Sequence, residues 1–207
     1  MINRQKLLEV LFENRKEVMR YEVIKRNISL DGFDRRVLVG VRRAGKSFLL
    51  FGHIQKLVEN GVPLEQIVYI NFEDERLANL QLEDLNTILE IQASINNSRP
   101  VLFLDEIQNI EHWELFVNRL LRQSIKLLIT GSNANLLSGE LATHLTGRYN
   151  SIELLPFSFS EYCEAKSISS NQFTTKSKAL LKKHLTNIYY EVVSRKLLME
   201  VPLKIMP

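Results

Sequence analysis

Gly40, Gly45, Lys46 and Ser47 sit in the run Gly40-Val41-Arg42-Arg43-Ala44-Gly45-Lys46-Ser47. The run matches the spacing G-x-x-x-x-G-K-S/T at every fixed position. The chemistry that this spacing serves is capture of a polyphosphate. Backbone N–H groups must wrap phosphate oxygens, so glycine is needed where a side chain would collide or where φ turns positive. The Lys46 ammonium is expected to reach the β and γ oxygens, and the Ser47 hydroxyl to ligate Mg²⁺. The stretch Gly40 to Phe48 is the expected lining of a bound nucleoside triphosphate. Arg42 and Arg43 stand in it either as further phosphate contacts or as surface arginines.

A second chemical group lies further on. The apolar run Val101-Leu102-Phe103-Leu104 ends in Asp105-Glu106. In an open parallel sheet, ligands gather at the carboxyl ends of strands. Asp105 is therefore expected beside the phosphate loop, holding Mg²⁺ through its water shell. Glu106, one residue on, has the chemistry to orient and deprotonate a water for in-line attack on the γ-phosphate.

These groups need elements to carry them. Residues 36–40 read as a short buried strand, and a helix starts at Lys46 with Leu50, Ile54, Leu57 and Val58 on one face, closing at Gly61. That helix aims its positive N-terminus at the phosphates. Further strands are expected at 67–72, 101–104, 126–130 and 152–155, with helices over 82–95 and around the stripe Trp113, Phe116, Val117, Leu120 and Leu121. Leu7, Leu8, Leu11 and Phe12 mark an amphipathic helix near the start. Alternating strands and helices imply crossover connections, hence an α/β fold of three layers around a parallel sheet. Residues 1–30 are a helical lead-in, 31–166 the core, and 167–207 a polar linker and a helix over 179–198.

The bulk numbers agree with a packed enzyme-sized domain. The chain has 207 residues, 45% of them apolar, and a formal charge of +3. Such a mild excess permits nucleic-acid contact without arguing for it. Cys163 is the single cysteine, so no internal disulfide forms. No basic-then-apolar leader is visible and no apolar run approaches a membrane span, which gives the expectation of a cytoplasmic protein.

Taken together, the segments 37–47, 69–77, 103–108, 128–133, 140–148 and 154–162 resemble the prokaryotic AAA-domain proteins of the AAA+/STAND-like ATPase group. The resemblance covers about residues 20–165. It implies ATP rather than GTP, and a five-stranded parallel sheet in the order 5-1-4-3-2. It also implies that Ser132 or Asn133, after the strand at 126–130, helps to hold the attacking water; turn chemistry accounts equally well for Gly131-Ser132-Asn133. Arg148 is either a charge-stabilising arginine of the transition state or a solvated arginine. Members of that group usually continue into a second domain, so 167–207 reads as the start of a truncated one.

Three functions are compatible with these residues, and a small-molecule kinase is a fourth, weaker reading for want of an arginine-rich lid segment after the acidic strand. The first is Mg-dependent ATP hydrolysis. The second is an ATP-binding switch with little turnover, reporting to a protein partner. The third is a nucleic-acid-associated ATPase. Glu106 favours hydrolysis.

Overall fold

The computed structural model describes residues 3–30, 35–132 and 150–158, with 160, 161 and 164. The chain divides into two compact units, 1–156 and 157–207. The elements below belong to the first. Asn133, Arg148, Cys163, the polar stretch 167–177 and the helix expected at 179–198 lie outside the described residues.

The helices are α1 (Arg4–Val18), α2 (Lys46–Glu59), α3 (Leu85–Ile95) and α4 (Trp113–Arg122). The strands are β1 (Arg35–Gly40), β2 (Ile67–Asn71), β3 (Val101–Asp105), β4 (Lys126–Ser132) and β5 (Asn150–Glu153). All pair in parallel, in the order β2-β3-β4-β1-β5. Counted from the other edge this is the expected 5-1-4-3-2. The register sets Asn71 opposite Asp105 and Gly40 opposite Ser132.

The strands alternate cleanly between two cores, as a period of two requires. Val37, Val39, Val68, Ile70, Leu102, Leu104, Leu127 and Ile129 face one core with α1, α3 and α4. Leu38, Ile67, Tyr69, Val101, Phe103 and Leu128 face the other, where α2 contributes Leu50, Phe51 and Ile54. Helices cover both faces, so the three-layer arrangement holds.

Local differences from the expected elements have physical causes. In α1 the buried stripe is Leu7, Val10, Leu11, Asn14, Arg15 and Val18, while Phe12 is exposed. Burying Arg15 rather than Phe12 is possible because its guanidinium is satisfied. It donates to Ile67 O at 2.9 Å, Glu65 O at 3.2 Å and Gln92 Oε1, which ties α1 to the start of β2 and to α3. Residues 82–84 form a 3-10 turn ahead of α3 rather than its first α-turn, and the Asp84 carboxylate accepts from Gln81 N–H there. β4 runs two residues past the expected 130, because Gly131 and Ser132 continue to pair with Val39 and Gly40. Ser132 is therefore strand, not turn. β5 begins and ends two residues earlier than expected, at Asn150–Glu153.

Candidate functional site

The phosphate loop is a strand-loop-helix connection between β1 and α2. Its two outer glycines serve different needs. A Cβ on Gly40 would lie 2.4 Å from Leu154 O, because the chain leaving β5 packs against it; Leu154 N–H donates to Val39 O at 2.7 Å. Gly45 has φ +91° and caps α2 in the left-handed region, which a Cβ disfavours. Arg43 also turns to positive φ, at +66°. Behind the loop the buried Arg26 donates to Ala44 O at 3.0 Å and to Leu155 O at 2.8 Å. Nothing in its spacing identifies Arg26 as part of this site.

Lys46 is the first residue of α2 and is buried. Its Nζ donates to Gly40 O at 3.1 Å and Val41 O at 3.4 Å, and lies 3.1 Å from Glu106 Oε1. The structure thus joins the phosphate loop to the acidic end of β3 directly. The two side chains are 4% and 12% exposed, so the pair is nearly dry. The other carboxylate oxygen of Glu106 accepts from Gln108 Nε2 at 2.6 Å. Glu106 itself has φ +53°. Left-handed backbone at a residue other than glycine costs of order 1–3 kcal/mol and is held only by its surroundings. Here the hold includes a hydrogen bond from Glu106 N–H to Thr130 Oγ1 at 3.0 Å.

Asp105 is fully buried. Tyr69 Oη donates to its Oδ2 at 2.9 Å and Thr130 Oγ1 donates to its Oδ1, with the Ser47 hydroxyl also beside the carboxylate. Burial holds the Asp105 carboxyl above the usual carboxylate range; the Thr130, Ser47 and Tyr69 hydroxyls pull it down, and neighbouring Glu106 pushes it up. Burial, with the Asp105 charge, likewise keeps the Tyr69 phenol protonated far above its ordinary range. Strand parity explains the convergence. Tyr69 belongs to the core on the α2 side, and Asp105 and Thr130 continue the alternation of Phe103 and Leu128 on that side. A hydroxyl and a buried carboxylate are the hard oxygen donors that suit Mg²⁺.

Of the remaining expected residues, those described occupy the rim, and Asn133 and Arg148 lie outside the described residues. Ser132 sits opposite Gly40 across the β1–β4 pair and is half-buried. Arg42 is exposed and pairs with Glu73 at 2.7 Å. Val41 is exposed. Phe48, also exposed, lies with Tyr21 and Phe51 in an aromatic cluster of centroid distances 5.3–5.5 Å. Four contributors were not legible beforehand: Arg26, Tyr69, Gln108 and Thr130. Gln108 is two residues from Glu106, the one nearby signal that local spacing offered.

Residues 35–163 match the AAA domain family. The chain is 40% identical over 180 residues to an uncharacterized protein of Methanocaldococcus jannaschii, covering 86% of this chain and 40% of the relative. It is 40% identical over 137 residues to an uncharacterized protein of Haemophilus influenzae, covering 65% of this chain and 34% of the relative. The chain therefore spans well under half the length of these two relatives. Among solved structures, AMPPCP-bound DnaA from Aquifex aeolicus is similar at 17% identity and TM-score 0.45, with 97% of this chain and 67% of that one covered. The family match covers more than half of the chain and carries the phosphate loop and the acidic strand end: the protein belongs to the AAA domain family, with a P-loop nucleotide-binding fold.

Proposed function

We propose that this chain binds ATP with Mg²⁺ and hydrolyses it. One observation carries the reading: Lys46 at the N-terminus of α2 pairs with Glu106 at the end of β3, while Ser47 and Asp105, their chain neighbours, lie together. Lys46 holds the β and γ oxygens, with the loop N–H groups and the helix N-terminus. Ser47 and Asp105 are the residues that would hold Mg²⁺, which supplies charge neutralisation to the phosphates when bound. Glu106 takes the proton of the attacking water. Ser132, beside Gly40, or Asn133 orients that water, and Arg148 offsets charge in the transition state. A cavity of about 630 Å³ lies along α2, lined by Val23, Arg26, Ile28, Leu49, Gly52 and His53; of these, Arg26 also donates to Ala44 O of the loop. It is of a size to take the nucleoside.

A second reading, an ATP-held switch with little turnover, is favoured by one feature: both oxygens of Glu106 are already engaged. A nucleic-acid-stimulated ATPase differs only in what activates it. Calorimetry with Mg-ATP and a phosphate-release assay with and without DNA separate these. Binding and turnover support the first reading, binding alone the second, and turnover that needs DNA the third. Lys46→Ala should lose binding, because charge-assisted contacts to the phosphates disappear together. Unchanged affinity in that variant would refute the phosphate-site assignment. We further propose 31–166 as the ATPase core, 1–30 as its lead-in and 167–207 as the opening of a second domain, in a cytoplasmic protein. Among the described residues no helix is long and apolar enough to cross a membrane.

A further inference from the structure

The Lys46 ammonium has three N–H donors, and three acceptors take them: Gly40 O, Val41 O and Glu106 Oε1. Two of these acceptors are loop carbonyls, fixed by the same backbone that must wrap a phosphate. The third is a side chain that can swing. Gln108 holds that side chain from its far oxygen, and Thr130 holds the Glu106 backbone, so carboxylate and main chain are secured separately. A phosphate oxygen reaching Lys46 must take the donor that Glu106 now occupies.

We propose that the Lys46–Glu106 ion pair, steadied by Gln108, is a self-inhibitory latch across the phosphate site. The carboxylate that serves as base also competes with the γ-phosphate for Lys46, so capture of the triphosphate and release of the base are a single event. The proposal rests on the nucleotide-binding reading above. Its logic is that of a population tax: apparent affinity falls by the fraction of molecules in which the competent arrangement is free. The pair is nearly dry, so its charges are little screened and the competition is strong. Gln108 is a positioning residue here, acting through Glu106.

The test is equilibrium binding of a non-hydrolysable methylene-bridged ATP analogue, so that slower turnover cannot pass for tighter binding. Wild type, Glu106→Gln and Gln108→Ala are compared, each first checked for cooperative thermal unfolding. Glu106→Gln keeps the shape and leaves Lys46 a neutral neighbour in place of an anion; it should bind about tenfold tighter, within the usual range for coupled sites. Gln108→Ala should move affinity the same way by a smaller factor. If wild type binds and neither variant binds tighter, the latch is overturned while the nucleotide reading stands. If only Glu106→Gln binds tighter, the ion pair is the latch and the part given to Gln108 is overturned. If wild type fails to bind but Glu106→Gln binds, the latch is upheld in its strongest form. If none of the three binds, freeing Lys46 opened nothing, and both the latch and the nucleotide reading fall.

Discussion

The two faces of the sheet are built from the same strands and do opposite things. The face toward α1, α3 and α4 is apolar along its length, from Val68 and Ile70 through Leu102 and Leu104 to Leu127 and Ile129. The face toward α2 is apolar only at its start; towards the carboxyl ends, Tyr69, Asp105 and Thr130 put hydroxyls and a carboxylate where the first face has aliphatic groups. The difference places the polar groups of the proposed site on one face and leaves the strand residues of the other to packing. The buried carboxyl above its ordinary range and the left-handed glutamate both belong to the α2-facing end, while the strand residues of the other face are aliphatic.

The largest expected effect breaks that comparison on its stable side. Leu102→Ala empties a fully buried position of the apolar face and should cost about 2–5 kcal/mol of unfolding free energy, measured by urea denaturation. The folded fraction should keep wild-type affinity for Mg-ATP. A loss of affinity larger than the loss of folded protein would show that the faces are not separable.

A smaller effect of opposite sign is expected at Asp105. Its carboxyl is held above the usual range by burial, so the folded state binds a proton more readily than the unfolded chain does. Stability contributed by the protonated group is present below the unfolded value and is lost as pH rises through the raised folded value. Asp105→Asn cannot ionise and should lack this part of the pH slope. With Mg²⁺ chelated, it should unfold at a higher temperature than wild type at neutral pH, while its Mg-dependent nucleotide binding weakens. A variant less stable than wild type at every pH would contradict the account of this face.

The smallest effect sharpens the comparison. Tyr69→Phe removes one donor to Asp105 and leaves the ring contact with Phe51 in place. It should cost about 1 kcal/mol of stability, but should change the Mg²⁺ concentration needed for half-maximal nucleotide binding. An unchanged Mg²⁺ requirement would leave Tyr69 a packing residue only.

What was legible in the sequence followed from how local each signal is. The phosphate loop depends on eight consecutive residues, and Asp105-Glu106 on two at a strand end, so both could be read. The sheet order came from the family resemblance rather than from periodicity. Tyr69, Thr130 and Arg26 act across the fold: Tyr69 meets Asp105 only through the β2–β3 register, Thr130 through β3–β4, and Arg26 reaches Ala44 from a segment preceding the sheet. No spacing along the chain encodes those meetings. Apolar spacing marks α1 as amphipathic but does not show that Arg15 is buried while Phe12 is exposed, because the carbonyls and amide that satisfy Arg15 come from distant segments. Gly131 and Ser132 have turn-forming composition, yet pairing with β1 keeps them in strand.

The central claim is that this cluster hydrolyses ATP with Glu106 as the base. Single-turnover hydrolysis of Mg-ATP, at nucleotide concentrations that saturate both proteins, tests it most directly in wild type and Glu106→Gln. General-base assistance accounts for about a hundredfold to ten-thousandfold in rate. The account predicts that Glu106→Gln holds ATP and loses turnover by at least the lower of those factors. Equal rates of phosphate release from the two proteins would contradict it.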